Sequence, residues 1–181
     1  ALRGWSSIGF GFIEVGGVTM HAQEGNPKPR MFRDDRSRSL INRMGFNNDG
    51  SEAVAERISK DLSKRGSLPC PLFVNLGKSK ITPNEEALSD YATSMQRLHH
   101  VVDGFVVNVS SPNTPNLRDL QHESVLGDLL EGLSKVLSDL NATSESPRPM
   151  LVKFAPDLDV ASLLGMVDVA RNAGADGVVL S

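Results

Sequence analysis

One cysteine, Cys70, stands in the whole of this 181-residue sequence. It excludes an internal disulfide and argues against a cysteine metal site. Histidine is scarce too, and His21, His99, His100 and His122 show no ligand spacing, so no metal site is expected. His99 and His100 point in different directions on a helix and read as solvated surface. No cluster of Lys or Arg accompanies the formal net charge of −3, which argues against a nucleic-acid surface. No apolar run is long enough to span a bilayer, and no signal peptide opens the sequence. No Gly-x-Gly-x-x-Gly turn joins a strand to a helix, which weakens a dinucleotide-binding reading. The length suits one real core and is too short for two ordinary domains.

What is present is an alternation of short apolar runs and amphipathic helices. Strands are predicted over Phe10 to Val15, Pro71 to Asn75, Gly104 to Asn108, Pro149 to Lys153, and from Val178 onward. Helices are predicted over Ala53 to Lys64, from the capping box Thr82-Pro83-Asn84-Glu85 through Leu88, Tyr91, Met95 and Leu98, over Glu123 to Leu140, and from the Asp159 cap to Gly174. The helix capped by Asp159 bears Leu163, Leu164, Val167 and Ala170. Continuous apolar strands alternating with helices imply a parallel α/β sheet covered on both faces. An open doubly wound sheet and part of a (β/α)8 barrel both fit, and a barrel represented by about five of its eight β/α units fits better. The whole of 1–181 is then one partial barrel domain. The stretch from Val18 to Phe46, rich in Pro, Asn and Arg, is too long for a plain connection and reads as a functional excursion.

Parallel strands of such folds carry chemistry at their C-terminal ends. Here those ends are Gly16-Gly17, Asn75, Asn108, Lys153 and Ser181. Amides, one ammonium and one hydroxyl gathered at one face suit a flat polar heterocycle. Lys153, after Met150-Leu151-Val152, should be partly buried and need an anionic partner; a ligand or the neighbouring Asp157 would serve. The stretch Asn108-Val109-Ser110-Ser111-Pro112-Asn113-Thr114 either delivers functional groups or is an ordinary polar turn.

Six stretches carry a family resemblance, in order along nearly the whole sequence: residues 9–16 (GFGFIEVG), 25–30 (GNPKPR), 41–47 (INRMGFN), 74–78 (VNLGK), 108–114 (NVSSPNT) and 151–157 (LVKFAPD). With them the sequence closely resembles class 2, quinone-dependent, dihydroorotate dehydrogenases. The resemblance implies an FMN-binding barrel that oxidises dihydroorotate to orotate in pyrimidine biosynthesis, with ubiquinone or a similar quinone as acceptor. It implies Ser111 as the base; class 1 relatives carry cysteine there. It assigns Asn42, Arg43, Gly45, Phe46, Asn108 and Asn113 to substrate, and Gly17, Asn42, Asn75, Asn108, Lys153 and Ser181 to flavin. Arg33 matches an arginine bordering the quinone tunnel, although a solvated charge would read the same way.

The family usually has Thr or Ser where Gly17 stands. The opening at Ala1 to Gly16 reads as an element entered midway, so the resemblance implies a central portion of the family's barrel. Membrane contact would come through segments outside it, at the mitochondrial inner membrane in a eukaryote or the cytoplasmic face of the inner membrane in a bacterium. Two rival readings stand: another FMN barrel acting on a pyrimidine ring, and a non-catalytic half-barrel.

Overall fold

The computed structural model describes residues 2–113 and 117–180. A short helix α1 (Leu2–Ser6) precedes strand β1 (Ile13–Val18). Next come β2 (Met31–Asp34) and β3 (Ser39–Asn42), an antiparallel hairpin inside the excursion. The remainder alternates: α2 (Ser51–Arg65), β4 (Leu72–Leu76), α3 (Ala87–Leu98), β5 (Gly104–Asn108), α4 (Glu123–Asn141), β6 (Met150–Lys153), α5 (Val160–Asn172) and β7 (Gly177–Val179). The described residues form a five-stranded parallel sheet ordered β1-β4-β5-β6-β7. Each parallel strand adds beside its predecessor in the chain. A doubly wound sheet reverses that order at a switch point; this sheet does not, so it is an arc of a (β/α)8 barrel, as expected.

Side chains alternate across the arc. Leu72, Val74, Phe105, Val107, Met150 and Val152 face the helices and are buried. They meet Leu126, Leu129, Leu130, Leu133 and Leu137 of α4, all buried as the helical spacing predicts, with Tyr91, Met95 and Leu98 of α3. The register places Glu14, Phe73 and Gly104 in one row on the other face. Gly16, Asn75, Val106, Leu151 and Gly177 form the next row, and Asn108, Lys153 and Val179 the last. Gly104 is small for a reason: a Cβ there would stand 2.3 Å from the Phe73 ring.

Two Asp-Gly pairs lock the opposite, N-terminal ends of the strands. Asp103 accepts the Leu72 N–H at 2.8 Å and returns its own N–H to the Leu72 carbonyl at 2.8 Å. Asp176 treats Met150 identically, with both distances 2.8 Å. The paired donors and acceptors fix strand register without helix packing.

Several local expectations need correction. The first strand begins at Ile13, not Phe10; Phe10 and Phe12 stay exposed, with Phe12 tilted against Phe73 at 5.3 Å. Thr82 is no helix cap, because its hydroxyl donates to Asp90 Oδ2 at 2.6 Å and α3 starts only at Ala87 after a 3-10 turn. Leu88 is 40% exposed and lies over Gly132 at the seam with α4, while Ala87 and Ser94 take the inward positions. On α5, Met166 and Ala170 are buried and Leu163 and Val167 are half-buried on one face, while Leu164 lies off that face and is exposed. His99 is not solvated: it is buried against Phe105, with Nε2 2.9 Å from Asn141 Oδ1. The Asp159 cap stands, accepting from Ser162 N at 3.0 Å, and Gly174 ends the helix at φ +89°.

Candidate active site

The polar strand ends meet on the inward face. Asn75 Nδ2 donates to Glu14 Oε1 at 2.8 Å, and Asn108 Nδ2 donates to Asn75 Oδ1 at 3.0 Å. Asn108 Oδ1 accepts from the backbone N–H and the hydroxyl of Ser110, at 3.0 and 2.9 Å. Lys153 is the register partner of Asn108 and is half-buried. Among the described residues its ammonium has no hydrogen-bond or ion-pair partner. Asp157 pairs with Arg118 at 2.9 Å instead, and that guanidinium holds its carboxyl below the usual range. The neighbouring-acid alternative for Lys153 is thereby removed.

Behind this row, Tyr91 anchors the strand. Its hydroxyl donates to the Asn108 backbone oxygen at 2.9 Å, and full burial pushes the phenol's ionisation far up. Beyond Asn108 the chain turns. Ser111 is half-buried, and its Oγ accepts the Asn113 N–H at 3.3 Å. Among the described residues no carboxylate or imidazole hydrogen-bonds that Oγ. Arg118 steadies the turn through Nε to the Ser110 oxygen at 3.2 Å. Thr114 and Ser181 lie outside the described residues.

The excursion returns to the same mouth. Phe46 sits at φ +52°, an uncommon conformation for a bulky residue, and follows Gly45 at φ +71°. Asn48 fixes the bend: its Nδ2 donates to the Phe46 oxygen at 2.7 Å and to Thr19 Oγ1 at 2.8 Å. The Phe46 ring is thereby wedged between Gly17 and Gly77, where a Cβ at either position would stand 2.5 Å from a ring carbon. Gly17 therefore presents backbone and a ring contact where a hydroxyl is usual in the family. Asn26 joins the excursion to the β5 loop, with Nδ2 3.0 Å from the Arg43 oxygen and 3.4 Å from the Asn113 oxygen.

Other expected site residues are placed elsewhere. Asn42 ends β3 exposed, its Oδ1 3.3 Å from the Met44 N–H. The Arg43 guanidinium donates twice to the Pro29 oxygen, at 3.1 and 2.9 Å, and lies over the Phe32 ring. It is spoken for by the hairpin and does not reach the strand ends. Arg33 is exposed on β2 opposite Leu40, among exposed Met31, Phe32 and Ile41.

Sequence reasoning missed Glu14, Tyr91 and Lys78. A carboxylate inside the apolar stretch Phe12 to Val15 was the available signal for Glu14. Lys78 is buried, donates to the carbonyls of Ser79 and Thr82, and loses basicity through desolvation, with Asp90 and Glu85 opposing.

The inward face thus offers an apolar floor at Val106 and Leu151 with N–H donors and an ammonium along one edge. That donor set fits a flat heteroaromatic with carbonyl and ring-nitrogen acceptors on its rim.

Comparison with known proteins identifies the family. The sequence model of the family described as dihydroorotate dehydrogenase matches residues 1–181. The chain is 47% identical over 179 residues to the dihydroorotate dehydrogenase (quinone) of Gloeobacter violaceus, covering 99% of this chain and 47% of that protein. It is 44% identical over 178 residues to the enzyme of that name from Mycolicibacterium smegmatis, covering 98% and 46%. The crystal structure of the Eimeria tenella DHODH in complex with ferulenol superposes with a TM-score of 0.90 at 35% identity, covering 100% of this chain and 52% of that one. The chain spans about half the length of the curated relatives it matches. With a family match over residues 1–181 and the same fold, the chain belongs to the dihydroorotate dehydrogenase family.

Proposed function

We propose that these residues form the substrate- and flavin-facing part of a quinone-dependent dihydroorotate dehydrogenase, oxidising dihydroorotate to orotate in pyrimidine biosynthesis. The observation that carries this reading is the row of Asn75, Asn108 and Lys153 at adjacent strand ends, the Lys153 ammonium having no partner among the described residues. Asn75, Asn108 and Lys153 would hold the FMN ring, with the Gly17 backbone beside them. Bound FMN supplies the acceptor for the hydride that leaves C6 of the substrate. The Lys153 ammonium would stabilise negative charge at the ring's acceptor edge. Asn108 and Asn113, with the excursion residues Gly45 and Phe46, would lie against the pyrimidine.

Ser111 would take the proton from C5. A hydroxyl is a weak base, so Ser111 must give up its own proton as it gains one. Its Oγ already accepts the Asn113 N–H, which orients a lone pair and leaves the hydroxyl proton free to pass to water. The excursion hairpin with Arg33 would border the quinone's path, and association with a membrane follows from the acceptor's solubility. No helix among the described residues is long and apolar enough to cross a membrane.

The test is anaerobic mixing of dihydroorotate with a full-length flavoprotein that carries this chain. Bleaching of the oxidised flavin band, and its return on adding a quinone, is expected. A flavin that stays oxidised at saturating dihydroorotate rejects the reading.

A further inference from the structure

The 3-10 turn Leu117–Gln121 follows the loop that carries Ser111. Its sequence LRDLQ repeats in type every third position, and side chains at i and i+3 of a 3-10 turn eclipse each other. Leu117 and Leu120 take one side and are buried in the core. Arg118 and Gln121 share another and meet the loop after β6. Gln121 Oε1 accepts the Ala155 N–H at 3.1 Å, and Arg118 Nη1 donates to Asp157 Oδ2 at 2.9 Å. From the same guanidinium, Nε donates to the backbone oxygen of Ser110 at 3.2 Å. One turn thus grips two loops, the one that follows Asn108 and the one that follows Lys153.

We infer that Arg118 is a positioning residue for the base: it fixes the peptide unit that joins Ser110 to Ser111, and Asp157 braces it for that task. The inference rests on the proposed function, in which Ser111 takes the proton from C5. Asn108 holds the N–H and the hydroxyl of Ser110 through one oxygen. Both contacts lie before the Cα–C bond of Ser110, so they leave rotation about that bond open. That rotation swings the Ser110 oxygen and carries Ser111 with it. Among the described residues only Arg118 donates to this oxygen. The contact from the Asn113 N–H to Ser111 Oγ is no brace, because both partners travel with the swing. The 3.4 Å contact from Asn26 reaches only the Asn113 oxygen, at the far end of the turn. Pro112 confines the backbone of Ser111 to extended conformations, which leaves the Ser110–Ser111 peptide as the hinge. A guanidinium suits the task. Its Nε and Nη1 belong to one rigid planar fork, so Asp157, holding one prong, aims the other.

The test uses a full-length flavoprotein carrying this chain, as wild type, Arg118→Lys and Asp157→Ala. A lysine ammonium can still answer the Asp157 carboxylate but puts no donor where Nε stood. Arg118→Lys therefore keeps the charge and drops the Ser110 contact, whereas Asp157→Ala keeps Nε and removes its brace. Flavin reduction is followed by rapid mixing with dihydroorotate deuterated at C5, at C6 or at neither. Arg118→Lys should slow reduction about ten- to a hundredfold, as for a reacting group displaced by roughly an ångström. Its C5 isotope effect should rise relative to its C6 effect, because proton removal is the step impaired. Flavin content, and the dihydroorotate concentration giving half the maximal reduction rate, should stay within about twofold of wild type, since Gln121 still holds the loop after Lys153. Asp157→Ala should move the same way by less. General damage to the site slows both transfers and leaves the two isotope effects in their wild-type proportion. An unchanged rate in Arg118→Lys, or a slower one with that proportion kept, overturns the inference. Should Arg118→Lys fail to fold, Asp157→Ala decides by the same criteria. A wild-type flavin that dihydroorotate does not bleach rejects the proposed function, and the crystal structure of Arg118→Lys then decides on Arg118. A turned Ser110–Ser111 peptide supports its role there, and one in the wild-type orientation overturns it.

Discussion

The Tyr91 hydroxyl lies 2.9 Å from the backbone oxygen of Asn108, seventeen positions along the chain. It ties a helix facing the outer layer to the one strand end from which the candidate base follows. Tyr91→Phe removes the donor and leaves a buried carbonyl unsatisfied. The expected cost is about 1–3 kcal/mol. Denaturant unfolding of the full-length protein measures it, and an unchanged midpoint would show that water replaces the hydroxyl.

Ser111→Ala should retain flavin yet cut turnover by about 10²–10⁴-fold, the usual contribution of a positioned proton acceptor. Rapid-mixing measurement of flavin bleaching decides it; an unaltered reduction rate removes Ser111 from the chemistry. Ser111→Cys should keep partial activity with a shifted pH profile. A thiol ionises near pH 8–9, so its contribution should grow as pH rises towards that range.

Lys153→Met should release flavin, or leave it bound and harder to reduce. The ammonium has no protein partner among the described residues, so its removal frees no trapped counter-charge. The lost term is stabilisation of charge on the reduced ring. A reductive titration against a dye of known potential reads it; a potential equal to wild type would exclude Lys153 from the flavin edge.

Gly17→Ser collides with the Phe46 ring, since even its Cβ would stand 2.5 Å from a ring carbon. The ring must leave its slot against Gly77, at a cost of about 1–3 kcal/mol as for other overpacked sites. A lowered melting temperature is expected. Gly17→Ser combined with Phe46→Leu should recover part of it, and additive losses in the pair would show that the two residues do not share the slot.

Expressed alone, residues 1–181 should be poorly soluble and carry little FMN. Within this chain β1 and β7 are sheet edges, and Trp5, Phe10 and Phe12 are more than half exposed beside the first of them. Unpaired edges invite pairing with other copies. Size-exclusion chromatography with absorbance at flavin wavelengths tests this, and a monomeric yellow product would refute it.

Much of the architecture was legible in local pattern. Phe105-Val106-Val107 reads as a buried strand because both its faces are covered, and the leucines from Leu126 to Leu137 read as a helix because they recur at its period. The polar residues ending each apolar run, Asn75, Asn108 and Lys153, could be marked as a set because every parallel strand ends at the same side. What tertiary structure alone decided is which groups remain available there. Asp157 is taken by Arg118, thirty-nine positions away, which leaves Lys153 without a partner among the described residues, and Arg43 is taken by Pro29 and Phe32. Glu14 reaches Asn75 across sixty-one positions, and Phe46 finds its slot between Gly17 of β1 and Gly77 just beyond β4. Periodicity records which side of an element a residue faces, a property of a few consecutive dihedrals. Hydrogen-bond partners depend on strand register and loop closure over tens of residues, and no local period encodes those.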